Sequence, residues 1–480
     1  MLWPTPSERE ANRALHEAET YAAWLEAAEA VDRTSGADAW RSVDESPFYD
    51  ATLLRAELTM LQRLRSEGAA MALADALTAS LYRQHADLAA AELYSVARAG
   101  TKHLVTNYLS EVESALLWLA ATPIPGLSRT EKRRRFVEAA HAFGRTALML
   151  SGGATWGFHH LGVVKALFQH GVLPRILSGA STGAMIAAGV CSRNDAELAD
   201  LFDRPEQMRL DGLHAVGFAR ARRERALLDP DRLLEVLRHN VGDRTFAEAF
   251  ARSGRALNIS VSPTRTRQKP RLLNHLTAPD VLVARAALAS SALPGLFPPV
   301  VLEARNAAGD IVPYIPSERW VDGSLYEDLP KLRLARLHNV NHFIVSQTNP
   351  HVVPFARKAR HHGPAFGLAR GVADAAGFAA KTQGIAAADL ARRAAFRGPL
   401  QQLADRAYAL ASQDYGGDID IHPTFHARLI PKILANPTPE DLAAFIRSGE
   451  RATWPSLCMI TDHTRIGRAF DTGIGLLDSV

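Results

Sequence analysis

Two glycine-rich stretches lie close together in the sequence: "GGATWGFHHLGVVKAL" at 152–167 and "LSGASTGAM" at 177–185. In the second, an apolar run ends at Leu177, and Ser181 stands between Gly179 and Gly183 ahead of small residues that favour a helix. A strand, a sharp turn and a helix in this order are what a nucleophile elbow requires. The hydroxyl then lies at a helix N-terminus, where backbone N–H groups favour developing negative charge. The pattern predicts Ser181 as a nucleophile, and an ordinary Gly/Ser turn is the alternative.

The first stretch likewise follows an apolar run and opens into glycines before a helix. Gly152, Gly153 and Ala154 there would present backbone N–H groups with little steric cover. Two such turns on adjacent parallel strands can face each other across one crevice, so these three residues are predicted to form an oxyanion hole opposite Ser181. A phosphate-binding loop is the alternative, but "GGATWG" fits neither GxGxxG nor a Walker sequence, and no acidic ribose ligand follows about 20 residues later.

A serine nucleophile needs a base, and "WVDGSLYEDLP" at 320–330 offers one. Asp322 lies at the predicted end of a strand, before Gly323, where a carboxylate can reach into a crevice at the carboxyl edge of a sheet. A plain Asp-Gly turn is the alternative for this pair. In a Ser, Asp, His order a histidine would follow, and the candidates, none within a distinctive local pattern, are His342, His351 and His422.

The composition describes a globular protein with more than one structural unit. The 480 residues are 47% hydrophobic and 22% charged, which is enough apolar side chain for a large core. Lys and Arg number 55 against 51 Asp and Glu, and this near balance argues against a nucleic-acid partner. Cys191 and Cys458 belong to no CxxC or Cys/His cluster, which argues against disulfides and a metal site and favours a reducing, cytoplasmic compartment. With no signal peptide and no apolar run of roughly 20 residues, we expect any membrane contact to be peripheral.

The composition and hydrophobic pattern change along the chain and predict three parts. Residues 1–143 are rich in Ala, Leu, Glu and Arg, with leucines at helical spacing from Leu54, so an all-helical N-terminal domain is expected that could brace the rest or form a homodimer. Residues 144–349 alternate short apolar runs with helix-like stretches, the pattern of an α/β domain with a mainly parallel sheet. Residues 350–480 are expected to form a helical and mixed extension that packs on the α/β domain.

Four stretches together resemble the patatin-like phospholipases and lipases: "GGATWGFHHLGV", "GASTG", "ASSALPGLFPPV" at 289–300 and "VDGSLYEDLP". Others, among them "YGGDIDIHP" and "GERATWP", are similar to the intracellular triacylglycerol lipases of yeast and plants, so the resemblance covers nearly the whole chain. It implies a three-layer α/β/α fold with a mainly parallel sheet behind an all-helical domain. It also implies triacylglycerol or phospholipid esters as substrates at a membrane or lipid-droplet surface, and no cofactor. The site that the resemblance implies is a dyad of Ser181 and Asp322 without histidine, with an oxyanion hole at Gly152, Gly153 and Ala154.

Some features depart from the family pattern or leave alternatives open. Ala154 and Trp156 stand where many patatins have a third glycine and an arginine, and His160 is expected to pack or hydrogen-bond just inside its helix rather than act as the base. His275 and Asp280 in "HLTAPD" have the H-x4-D spacing of acyltransferases, so acyl transfer to a lysophospholipid is one alternative function, and non-catalytic lipid binding is another. The stretch "FARKARHHGPAFGLARG" is either a basic amphipathic surface for an anionic interface or a solvated helix.

Overall fold

A computed structural model describes residues 6–82, 86–265, 268–324, 327–350, 352–353, 415–424 and 431–479. Within these ranges the chain forms two compact units. The helical unit comprises residues 6–145 and 454–479, and the α/β unit comprises residues 146–353 and 415–453. The extension expected over 350–480 is therefore divided. Its described residues before 454 belong to the α/β unit, and those from Trp454 onward belong to the helical unit.

The helical unit is built from amphipathic helices whose apolar faces share a core. Its first seven helices are α1 (Pro6–Glu17), α2 (Tyr21–Ser35), α3 (Ala37–Ser42), α4 (Ala51–Ser66), α5 (Ala70–Tyr82), α6 (His103–Ala121) and α7 (Arg129–Phe143). Polar caps begin several of them, since Asp50 accepts from the Leu53 amide and Ser128 from the Glu131 amide. The buried side chains of the core include Leu61, Leu73, Tyr108, Val112 and Phe470.

The α/β unit contains the strands and the remaining helices. The described strands are β1 (Arg145–Leu150), β2 (Ile176–Gly179), β3 (Ala256–Pro263), β4 (Arg271–Leu273), β5 (Glu303–Arg305), β6 (Ile311–Pro313), β7 (Trp320–Asp322), β8 (Val340–Ser346) and β9 (Ile419–Ile421). The described helices are α8 (His159–Gln169), α9 (Thr182–Cys191), α10 (Asp195–Asp203), α11 (Phe218–Glu224), α12 (Pro230–Val241), α13 (Phe246–Ser253), α14 (Val283–Ser290), α15 (Lys331–His338) and α16 (Pro439–Asp478). The last of these, α16, extends from the α/β unit into the second segment of the helical unit.

The main sheet has the strand order β4-β3-β2-β1-β8-β9, and β7 also pairs with β3. The pairs β1/β2, β2/β3 and β8/β9 are parallel, whereas β4 and β7 run antiparallel to β3. All of β3 is buried, as expected for a strand covered on both faces. Leu150 pairs with Gly179 at the carboxyl ends of β1 and β2, so the loops that begin at Gly152 and Ser181 are neighbours. The predicted α/β class with a mainly parallel sheet behind a helical region is confirmed.

Candidate active site

Ser181 lies in the turn between β2 and α9, in a strained backbone conformation with φ 53° and ψ −125°. The flanking positions leave no room for side chains. A Cβ at Gly183 would come within 2.2 Å of the Leu150 carbonyl oxygen, and one at Gly179 within 2.3 Å of the Gly183 carbonyl oxygen. The Ser181 amide donates to the Ser290 hydroxyl at 3.1 Å, and that hydroxyl donates to a β3 carbonyl at 2.7 Å. These neighbours hold the strained turn in place.

Asp322 ends β7 next to the elbow, and the structure brings its side chain into contact with Ser181. The carboxyl group is buried, with only 1% of the residue exposed, and burial raises its pKa to about 6. Hydrogen bonds to the carboxylate oppose that shift: the Ser324 amide donates to Oδ1 at 2.8 Å, and the hydroxyls of Ser324 and Ser181 also donate. A Cβ on the following residue, Gly323, would come within 2.2 Å of the Ser260 carbonyl oxygen, so the turn after Asp322 requires glycine.

The loop after β1 is held by hydrogen bonds on both sides of its first peptide groups. The Gly152 amide donates to Asp328 Oδ1 at 2.9 Å. On the other side of that peptide plane, the Ser151 carbonyl accepts from His160 Nε2 at 3.0 Å. The Gly152 carbonyl in turn accepts from the hydroxyls of Ser151, at 2.8 Å, and Thr348, at 3.1 Å. Because peptide groups are planar, these contacts fix the orientation of two successive peptide units.

The next two amides, of Gly153 and Ala154, belong to residues that line a cavity beside Ser181. In a trans peptide the N–H and C=O groups point in opposite directions, so the Gly153 N–H is turned away from the hydroxyls that hold the Gly152 carbonyl. Within the described part of the chain, neither the Gly153 nor the Ala154 amide donates to a protein atom. The oxyanion hole was expected to include Gly152 as well, but its amide donates to a carboxylate instead. Of the three amides expected in the oxyanion hole, only those of Gly153 and Ala154 are open to a ligand in the described structure.

His160 hydrogen-bonds this loop and not Ser181 or Asp322. A carbonyl oxygen can only accept, so the bond to Ser151 places the ring proton on Nε2, and Nδ1 accepts from the Ser346 hydroxyl at 2.7 Å. Burial lowers the pKa of the ring to about 4, which makes it neutral at pH 7. These bonds match the expected packing role of His160.

Two further polar residues, which the sequence analysis did not single out, complete the site. Asp328 is 1% exposed, and its Oδ2 accepts from Asn349 Nδ2 at 2.7 Å. Asp328 follows Asp322 in the same "VDGSLYEDLP" stretch, and Asn349 follows β8. The sequence signal for Asp328 was an acidic residue shortly after the Asp322-Gly323 turn. Local sequence does not show which acidic residue of such a stretch is buried.

A mainly apolar cavity of about 460 Å³ opens beside Ser181 and Asp322. Most of its walls are aliphatic or aromatic, which suits an apolar chain better than a polar ligand. The apolar lining includes Leu161, Met185, Ile186, Leu201, Leu233, Leu237, Leu293, Leu296 and Phe297.

None of the described residues that line this cavity is a histidine. His342 on β8 contacts the Thr146 hydroxyl at 3.1 Å, and His422 follows β9. His351 lies outside the described residues. The described histidines thus offer no base within the cavity.

The acyltransferase-like pair also lies away from the cavity lining. His275 stacks on Phe250 with ring centroids 3.9 Å apart, and neither His275 nor Asp280 lines the cavity. The basic stretch at 355–371 lies outside the described residues.

Comparison with known proteins identifies the family. Residues 148–333 match the patatin-like phospholipase family, and residues 3–141 match a domain of unknown function (DUF3336). Triacylglycerol lipase ptl3 of Schizosaccharomyces pombe is 34% identical over 476 residues, which cover 96% of each chain. Triacylglycerol lipase SDP1L of Arabidopsis thaliana is 34% identical over 488 residues, which cover 96% of this chain and 57% of that protein. The chain therefore belongs to the patatin-like phospholipase family and is a carboxylic ester hydrolase.

Proposed function

We propose that this enzyme cleaves lipid esters through an acyl-enzyme on Ser181, with Asp322 as the base. The supporting observation is the contact between these two side chains beside an apolar cavity and two unbonded loop amides. Asp322 accepts the Ser181 proton as the hydroxyl oxygen attacks the ester carbonyl. The carbonyl oxygen becomes an oxyanion, which the Gly153 and Ala154 amides stabilise. Protonated Asp322 then gives its proton to the alcohol oxygen as the ester bond breaks.

The same carboxylate serves the second half of the reaction. Asp322 is ionised again once the alcohol has left, so it can take a proton from a water molecule that attacks the acyl-enzyme. The proton returns to Ser181 as the fatty acid is released. Burial of Asp322 assists both acylation and deacylation, because a carboxylate with a pKa near 6 is ionised at pH 7 and is still more basic than an exposed aspartate.

The proposed substrates are glycerides with long acyl chains, triacylglycerol first and phospholipid second. The apolar cavity supports an acyl chain as the group that binds next to Ser181. Triacylglycerol comes first because two relatives that match over nearly all of this chain bear the name triacylglycerol lipase.

The rim of the cavity offers a surface for a lipid–water interface. Phe218, Leu227 and Leu434 are 84%, 58% and 54% exposed, and we name these three residues the rim patch. Leu434 itself lines the cavity, and Leu227 precedes Leu228, which also lines it. Phe218 begins α11, two residues after Val216, whose amide donates to the Leu227 carbonyl at 3.0 Å. Leu434 thus belongs to the cavity wall, and the segment that carries Leu227 adjoins it.

Positive charge accompanies the rim patch. Arg222, Arg223 and Arg225, on α11 and just after it, are exposed. Exposed apolar side chains beside basic ones favour adsorption to a surface that contains anionic lipid. No described helix is both long enough and apolar enough to cross a membrane. We propose peripheral docking at the rim patch.

A lipid panel tests this function. Purified enzyme is given trioleoylglycerol emulsion, phosphatidylcholine vesicles and p-nitrophenyl butyrate, and released fatty acid or p-nitrophenol is measured with Ser181→Ala as the matched control. We expect turnover of all three esters to require Ser181 and trioleoylglycerol to be the best lipid. Addition of lysophosphatidylcholine reports acyl transfer as new phosphatidylcholine. Turnover that persists in Ser181→Ala would contradict the proposal.

A further inference from the structure

Asp328 is a buried carboxylate that the Ser/Asp chemistry does not use. Both of its oxygens accept hydrogen bonds, Oδ1 from the Gly152 amide at 2.9 Å and Oδ2 from Asn349 at 2.7 Å. A buried charge is costly unless it is fully hydrogen-bonded, so a carboxylate here needs a reason beyond packing. Asp328 is buried and does not line the cavity, unlike Asp322 and Asn349.

The contacts of Asp328 determine how the loop after β1 orients its amides. We name residues 151–154 of this loop the oxyanion loop. Asp328 and His160 hold the two ends of the peptide between Ser151 and Gly152. That fixed plane presents the Gly152 carbonyl to Thr348, and the Gly153 N–H consequently points the other way. Without Asp328, the Gly152 amide would be buried without an acceptor, and the loop would have to turn to satisfy it.

We propose that Asp328 is a positioning residue that clamps the oxyanion loop, a role that rests on the proposed function. By accepting the Gly152 amide proton, it holds the Gly153 and Ala154 amides in the orientation that receives the developing oxyanion. Oxyanion-hole donors must lie within a few tenths of an ångström of their position to be effective, so a clamp on the preceding peptide acts directly on catalysis.

The strength of this clamp depends on pH because the Asp328 carboxyl is titratable. Burial raises the pKa of the Asp328 carboxyl to about 7, the hydrogen bonds from Gly152 and Asn349 oppose the shift, and the charge of Asp322 adds to it. The titratable groups that face Asp328 include Asp322 and Tyr415, whose own pKa is raised by burial and by the Asp328 charge. As the pH falls, Asp328 gains a proton, and the neutral carboxyl keeps an acceptor for the Gly152 amide but holds it less strongly than the carboxylate does. Protonation of Asp328 therefore weakens the clamp, and protonation of Asp322 removes the base, in two coupled steps.

The test compares Asp328→Ala and Asp328→Asn with the wild type. The readouts are kcat and KM for p-nitrophenyl butyrate and the rate of inactivation by a fluorophosphonate. We expect Asp328→Ala to lower kcat and the inactivation rate about 100-fold, as loss of an aligned oxyanion donor does. KM should change less than about threefold because no cavity contact is removed. Asp328→Asn keeps an acceptor for the Gly152 amide and should retain about a tenth of kcat or more.

Asp32 of α2 provides a matched control. It is also 1% exposed, and its carboxylate accepts from the loop amides of Arg98, at 2.9 Å, and Ala99, at 2.8 Å. Asp32→Ala thus removes an equally buried, loop-holding carboxylate from the helical unit. We expect it to lower Tm about as much as Asp328→Ala while leaving kcat unchanged. Equal kcat losses in the two variants would overturn the positioning role.

The pH profile decides the question if Asp328→Ala fails to fold. In the wild type, the acid limb of kcat/KM should show two coupled steps, a partial loss of up to about tenfold from Asp328 and a complete loss from Asp322, whereas Asp328→Asn should show one step from Asp322 alone. Two steps in the acid limb of Asp328→Asn would overturn the inference. A wild type that neither turns over esters nor reacts with fluorophosphonate would instead refute the Ser181 mechanism and this inference with it.

Discussion

Among single residues, Asp322 shows most clearly how burial suits a side chain to the role proposed for it. An exposed aspartate is a weak base, with a pKa of about 4. Within the α/β unit the same side chain has a pKa of about 6, held from rising further by the Ser324 and Ser181 hydroxyls. The sequence indicated both Ser181 and Asp322 because their flanking glycines form a recognisable local pattern. Asp328 has no such pattern, since its burial depends on Gly152 and Asn349, which are distant in the chain.

Ser324→Ala tests how Asp322 is tuned. The Ser324 hydroxyl stabilises the ionised carboxylate, so its removal should raise the pKa of Asp322 above about 6. The proposed base must be ionised to accept the Ser181 proton, so we expect activity to be lost as the pH falls through that pKa. The midpoint of the acid limb of kcat/KM should move to higher pH in Ser324→Ala, by up to about one unit. A midpoint that stays in place or moves down would contradict this account.

The elements meet at the site through close backbone approaches at the carboxyl edge of the sheet. Apolar runs separated by glycines predicted the strands and the two turns, and the pairing of Leu150 with Gly179 places those turns together. The segment after β8 was not predicted to take part, although Thr348 donates directly to the loop after β1 and Asn349 donates to Asp328, which holds that loop. Contacts between strands that are far apart in sequence leave no local periodicity from which they could be inferred.

Gly153→Ala tests the oxyanion loop as an element. A Cβ there would lie 2.2 Å from Thr348 Oγ1, so the loop must move away from β8. We expect kcat to fall about 100-fold or more, and the free energy of unfolding to fall by about 1–3 kcal/mol from overpacking. Gly217→Ala is the control, since its φ is −63° and a Cβ there meets no atom within 4 Å. Wild-type kcat in Gly153→Ala would show that the loop geometry is not needed for turnover.

At the scale of the whole molecule, the sequence predicted a helical region, an α/β region and an extension, and the structure divides the last of these. Helix α16 explains why. It is 40 residues long, and apolar side chains of its second half, including Ile466, Ala469 and Phe470, belong to the core of the helical unit. A helical pattern shows which face of a helix is apolar, but it does not show which of two cores that face joins.

The rim patch makes a prediction about how the whole enzyme meets its substrate. Phe218→Ser with Leu227→Ser should weaken cosedimentation with phosphatidylcholine vesicles containing phosphatidylglycerol by about 10-fold or more, because burying each side chain contributes up to about 1.5–3 kcal/mol. Neither residue lines the cavity, so kcat/KM for p-nitrophenyl butyrate should not change.

Leu276→Ser controls for the loss of an exposed leucine, since Leu276 is 56% exposed in the loop after β4. If vesicle binding weakens equally in Leu276→Ser, the rim patch is not the docking surface. Ser181→Ala should bind vesicles as the wild type does, which separates adsorption from catalysis.

The most direct test of the central claim is intact-mass analysis after treatment with a fluorophosphonate. We expect one covalent adduct on the wild type, mapped by peptide analysis to Ser181, no adduct on Ser181→Ala, and much slower labelling of Asp322→Asn because the proposed base is lost. Labelling at another serine, or equal labelling of Ser181→Ala, would contradict it.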